Sequence, residues 1–188
     1  MKRPMLLLVA ELQAPVEMFR RRLRDIEEKC ATLPANSIVV EGLFTLAISG
    51  FETMLSDVYR YYLEHDEVSF SFKEIRLSRD ELMDPTHVGG MVTSELDRQV
   101  GALGYQRFTV VLETVCKRMR IHEPPFDTDL VNRIVEAKES RNLLLHSNLR
   151  VTRAYVDKAG PEVRSHELGA TLPLTPEYVR RVLGDLGT

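Results

Sequence analysis

The sequence predicts an all-α fold, a single-domain, up-and-down helical bundle with mostly antiparallel neighbours. Three observations point there. Apolar residues recur at three- and four-residue intervals through most of the chain, which is the period of one helix face. Segments holding Pro, Gly or Asn break that pattern at Leu33-Pro34-Ala35-Asn36, at Pro85, at His122-Glu123-Pro124-Pro125 and at Asp157-Lys158-Ala159-Gly160-Pro161. The length, 188 residues, is that of one domain able to bury a core without disulfide or metal staples.

The first helix is expected between Leu6 and Ala31, where Val16, Phe19, Leu23 and Ile26 share a face and Pro15 marks a helix start or a kink. Arg20, Arg21, Arg22 and Arg24 crowd its exposed side. With Asp25, Glu27 and Glu28 beside them, a solvated face is the simpler account and an RNA-backbone patch the alternative. After the Leu33 to Asn36 break, Asn36 or Ser37 can cap a helix over 38–63. It is apolar nearly all round from Val39 to Phe51, as a central buried helix is. Its Tyr59, Tyr61 and Tyr62 have the chemistry to stack on bases, but aromatics at helical spacing more often pack.

A polar linker follows from His65 to Phe72, with an extended piece at Val68 to Phe72. Ser78-Arg79-Asp80-Glu81 has capping-box spacing and should start a short helix. Pro85 then interrupts, and Gly89-Gly90 reads as a turn; without Walker or GxGxxG spacing it is no phosphate loop. A helical pattern resumes over Met91 to Leu103 through Val92, Leu96 and Val100. The next amphipathic helix, Tyr105 to Ile121, turns Phe108, Val111, Leu112, Val115 and Met119 inward and ends on Lys117, Arg118 and Arg120, where cations suit the helix dipole. A long helix is expected over about 127–156, capped by Asp127 or Asp129. Beyond the Asp157 to Pro161 loop, Glu167 to Leu174 reads as irregular or a short strand. Thr175-Pro176-Glu177 caps a last helix over about 176–186, which buries Tyr178, Val179, Val182 and Leu183.

A formal net charge of −3 argues against a protein that grips nucleic acid by bulk positive charge, so any RNA contact must be local. Cys30 and Cys116 stand far apart with no CxxC or Cys/His cluster around them, which favours neither a zinc site nor a disulfide framework and fits a reducing, cytoplasmic setting. The apolar run from Met5 stops at Glu11, short of the roughly seven to fifteen residues of a signal peptide, and no run reads as long enough to span a bilayer. No membrane partner, metal or cofactor is expected.

The chemistry concentrates in Arg141-Asn142-Leu143-Leu144-Leu145-His146. Leu130, Ile134, Ala137, Leu144 and Leu145 define an apolar stripe, and Arg141 falls within roughly 20° of its start. A cation there needs an anion or a wet cleft, because an unpaired charge is costly to desolvate. A salt bridge to Glu136, Glu139 or a carboxylate on another helix is the bland explanation. Glu139, Asn142 and His146 share a separate arc, with Asn142 and His146 stacked one turn apart.

Arg-Asn, three apolar residues and His, late in a small helical chain, resembles the Arg-polar-x-x-x-His signature of the HEPN (higher eukaryotes and prokaryotes nucleotide-binding) superfamily. The layout is similar too: a long apolar helix carrying Phe44, Phe51 and Glu52, then the motif helix, then a short tail with Leu168-Gly169 and Tyr178-Val179. The resemblance implies a helical bundle that forms a two-fold homodimer and cleaves RNA without a metal, with Arg141 and His146 catalytic and Asn142 and Glu139 supporting. It implies as partners RNA, a second copy of the chain and a controlling antitoxin or regulatory protein in toxin or defence systems. In the branch paired with a tyrosine-modifying nucleotidyltransferase, Tyr follows one residue after the His; His146-Ser147-Asn148 lacks it, which argues against that pairing. A non-catalytic module binding RNA, nucleotide or protein, and a structural protein in which Arg141 is merely ion-paired, are the rival readings.

Overall fold

In a computed structural model of the chain, the described residues are 5–34, 37–65, 83, 85–104, 106–121 and 127–188, and for 5–12 and 85–89 the description is of the backbone. They are all-α, as the periodicity predicts: α1 (Met5–Thr32), α2 (Ile38–His65), α3 (Pro85–Gly104), α4 (Phe108–Arg118), α5 (Thr128–Ser147), α6 (Arg153–Lys158), a 3₁₀ turn at Gly160–Glu162, and α7 (Pro176–Gly187). The linker at 66–72, the capping box at Ser78 to Glu81 and the break at His122 to Pro125 lie outside the described residues.

The chain forms two compact units. One comprises Met1–Pro15 and Leu55–Glu123. Its core joins Tyr59 and Leu63 of α2, Leu96 and Leu103 of α3, and Val111 and Val115 of α4. The α2 tyrosines are packing residues here: Tyr59 is buried, the Tyr62 hydroxyl donates to the Arg118 carbonyl at 3.0 Å, and Tyr61 stacks on His65. One expectation is overturned. Pro85 opens α3 instead of interrupting the chain, and Gly89-Gly90 is helical instead of a turn. Proline suits a first helical position, where its missing N–H has no partner to lose, and packing of Leu96 and Leu103 outweighs the ~1 kcal/mol that each glycine costs.

The other unit comprises Val16–Met54 and Pro124–Thr188 and carries the Arg-Asn-x-x-x-His segment. Phe19, Leu23 and Ile26 of α1 and Val40, Phe44, Ala47 and Ile48 of α2 are buried, and Phe44 meets the Tyr178 ring of α7 at 5.9 Å. Pro15 lies inside α1, and Arg20, Arg21, Arg22 and Arg24 are exposed, with Arg20 paired to Glu17. The Ser37 hydroxyl oxygen accepts from Val39 N–H at 3.2 Å and starts α2. That helix is less covered than its composition predicts, since Ile38 is 81% exposed and Val39 and Leu46 are also open. By length and composition alone α2 could cross a bilayer, contrary to expectation, although Glu52 within it is held by ion pairs to α5.

Candidate functional site

The helix that bears the motif begins where Asp127 accepts from the Asp129 N–H at 3.2 Å. It ends at Ser147, well before the expected 156. Asn148 and Leu149 take positive φ, 48° and 59°, and the Leu149 N–H closes onto the Leu143 carbonyl at 3.1 Å. Asn tolerates the left-handed region that ends a helix, and this local stop outweighs the apolar periodicity that continues through Val151 and Tyr155. Those two residues instead join a second small core with Leu143, Ala159 and Leu172. Val151 bonds in both directions to the 169–170 backbone beside an isolated antiparallel bridge between Arg150 and Thr171, and Thr152 caps α6. The 167–174 segment is thus irregular, with one bridge and no strand.

The buried arc of α5 differs from the predicted stripe. Ile134 and Ala137 are buried as expected, but so are Glu136, Ser140 and Leu143, while Leu145 is 52% exposed. Two polar residues lie inside because their hydrogen bonds are met there. Glu136, 1% exposed, accepts from the Ser140 hydroxyl at 2.6 Å and from the Tyr155 and Tyr178 hydroxyls at 2.8 Å each. Burial first, and then the Glu136 charge, push the Tyr155 phenol up to about 12 and the Tyr178 phenol higher still, so both stay protonated as donors. Arg164 lies over the Tyr178 ring at 3.9 Å, and its backbone N–H donates to the Tyr155 oxygen at 3.1 Å. Arg133 of α5 pairs with Asp185 of α7 at 3.0 Å.

Arg141 stands on the flank of that buried arc. Its Nη2 donates to Glu52 Oε2 at 2.5 Å, and Lys138 Nζ donates to Glu52 Oε1 at 2.8 Å. The anion that an arginine on an apolar stripe requires is therefore a carboxylate on another helix, one of the three partners anticipated from sequence. Arg141 and Lys138 are 15% and 16% exposed. On the outer arc Asn142 Nδ2 donates to Glu139 Oε2 at 3.3 Å, so these two supporting residues meet each other. His146 is exposed and, among the described residues, makes no hydrogen bond; nothing joins it to Arg141. Its place in the last turn suits a cation.

Sequence reasoning missed Lys138 as a site residue and named Glu52 only as part of a general layout. The signal was present: Lys138 and Arg141 are spaced i, i+3, so two cations on one apolar flank call for a carboxylate opposite. A separate small cavity in the same unit, lined by Cys30, Leu33, Val40, Val179 and Leu183 with Glu27 and Arg180, involves none of the motif residues. Burial pushes the Cys30 thiol up, away from the reactive thiolate. Comparison with protein-family models, curated proteins and solved structures finds no match, so the site is read from its own chemistry.

Proposed function

We propose that this chain is a metal-independent endoribonuclease of the HEPN type, a cytoplasmic two-fold homodimer acting on RNA under the control of an antitoxin or regulatory protein. The observation that carries the reading is the division of labour along α5: a guanidinium held in place at its part-buried flank by Glu52, and five residues on an exposed imidazole that has no hydrogen-bond partner among the described residues. In the proposed reaction the ribose 2′-oxygen attacks the adjacent phosphorus and the P–O5′ bond breaks. The products are a 2′,3′-cyclic phosphate and a 5′-hydroxyl end.

That step needs a base for the 2′-hydroxyl proton, an acid for the leaving oxygen and positive charge on the phosphorane oxygens. Arg141 supplies fixed charge in a site partly screened from water, where it acts most strongly. Histidine is the side chain suited to either proton role near neutral pH. One imidazole cannot readily fill both roles at once, so the two-fold dimer supplies a second His146. Asn142 and Glu139, already hydrogen-bonded to each other, serve as donor and acceptor beside it.

The test is digestion of a mixed RNA substrate in EDTA, with the dimer checked by light scattering. Wild-type protein should cleave to cyclic-phosphate ends, and His146→Ala and Arg141→Ala should each abolish cleavage with unchanged helical circular dichroism. Undiminished cleavage by either variant ends the proposal. The Arg141–Glu52 ion pair also favours a second reading, a structural helical protein in which Arg141 is merely ion-paired. A protein that neither cleaves nor binds RNA or nucleotide selects it; binding that requires Arg141 but not His146, without cleavage, selects instead a non-catalytic binding module.

A further inference from the structure

Among the described residues, Glu52 is shared by at least two cations. Lys138 and Arg141 lie three residues apart on α5 and each donates to a different oxygen of the one carboxylate. An Arg141–Glu52 pair alone would be neutral, and a phosphodiester gains little by approaching a neutral pair. Lys138 gives the trio a surplus positive charge. The guanidinium also has an unused donor: Arg141 Nε is buried and, among the described residues, has no hydrogen-bond partner. An orphaned buried N–H on a cation is costly. Surplus charge and orphan donor ask for the same thing, one more anionic oxygen.

We infer that Lys138, Glu52 and Arg141 form a single anion-binding unit for one phosphodiester group, in which Arg141 makes the contact and Lys138 supplies the net charge by keeping Glu52 neutralised. Glu52 is then a positioning residue that fixes the guanidinium. The inference deepens the nuclease reading and rests on it for the identity of the anion as nucleic-acid backbone. Only local charge can do this in a chain whose net charge is −3.

The probe is a fluorescein-labelled, all-2′-deoxy oligonucleotide, which lacks the attacking hydroxyl and cannot be cleaved. Its affinity for the full-length protein is followed by anisotropy from low to moderate salt, and RNA cleavage is measured in parallel. Lys138→Gln should bind about three- to ten-fold more weakly at low salt, and the slope of log affinity against log salt should shrink by about 0.7, the share of one phosphate contact on a single strand. Lys138→Arg should restore both. Equal slopes and affinities for wild type and Lys138→Gln overturn the inference, as does a wild type that does not bind. Should Lys138→Gln fail to fold, Glu52→Gln reads the same balance from the other side: tighter binding with a steeper slope supports it, unchanged or weaker binding overturns it. Failure of the nuclease reading looks different. A protein whose binding depends on Lys138 but which never cleaves RNA keeps the anion unit and loses the enzyme; one that cleaves, with Lys138→Gln binding and cleaving as wild type, does the reverse.

Discussion

Replacing Tyr178 with Phe tests the buried carboxylate on α5 with the least disturbance. Phenylalanine keeps the ring that meets Phe44 at 5.9 Å and lies under Arg164 at 3.9 Å, so only the hydroxyl is lost. That hydroxyl is the described donor to Glu136 Oε2, whereas Oε1 has two, Ser140 and Tyr155. A hydrogen bond to a charged group contributes about 1.5–3 kcal/mol, and an oxygen of a 1% exposed carboxylate has little water to turn to. Tyr178→Phe should therefore cost about 1.5–3 kcal/mol. Ser140→Ala, which leaves Tyr155 on Oε1, should cost about 1 kcal/mol. The assay is urea unfolding followed by circular dichroism, with the slope of the transition unchanged so that the midpoint shift reads as stability. If Tyr178→Phe stays within about 0.5 kcal/mol of wild type, an ordinary surface effect, then Glu136 is not a charge held by three hydroxyls and the account of its burial fails.

The same phenols predict alkaline sensitivity: both titrate higher when folded than when unfolded, so above about pH 10 the unfolded chain releases their protons first and stability falls with rising pH. A stability profile flat from pH 9 to 12 would contradict this; Tyr178→Phe should lessen the decline. At the end of α5, Asn148→Ala keeps the β-carbon in the left-handed region at φ 48° but removes the short polar side chain that makes Asn tolerant of it, and should lose about 1 kcal/mol in thermal or urea unfolding, while Asn148→Gly should match or exceed wild type.

Helical periodicity and cap chemistry made the fold class legible, because both are local. Asp127, Ser37, Thr152 and Thr175 each accept a backbone N–H at a helix start, and three of the four stood out from sequence as candidate caps. Pro85 and the Asn148 terminus were misread for a related reason: each is decided by backbone conformation that residue type only biases. In α5 an apolar stripe leaves out Glu136 and Ser140, since Glu136 is buried on hydroxyls from Tyr155 and Tyr178, 19 and 42 residues beyond it, and Ser140 is buried on Glu136. Long-range partners leave no mark in local spacing. The Arg141 ion pair was half legible: its oddness on the stripe demanded a carboxylate, but Glu52, 89 residues away, stood out only as part of a general layout and not as that partner.

The polar anchors do more than stabilise, because together they fix how α5 is rotated. Glu136 is tied to Tyr155 and Tyr178 of the C-terminal segment and Ser140 to Arg164, while Lys138 and Arg141 are tied to Glu52 of α2. A helix held on two flanks by directional bonds cannot roll as a purely apolar one can, since a turn that relieves one set breaks the other. The arc that carries the part-buried Glu139 and Asn142 and the exposed His146 is thereby kept clear of those anchors, and under the proposed function it is where a second subunit or an RNA strand would approach. An apolar replacement of Glu136 of similar size would fill the space without holding the angle. Loss of that anchor should therefore weaken whatever activity His146 has, even where the helix content is retained.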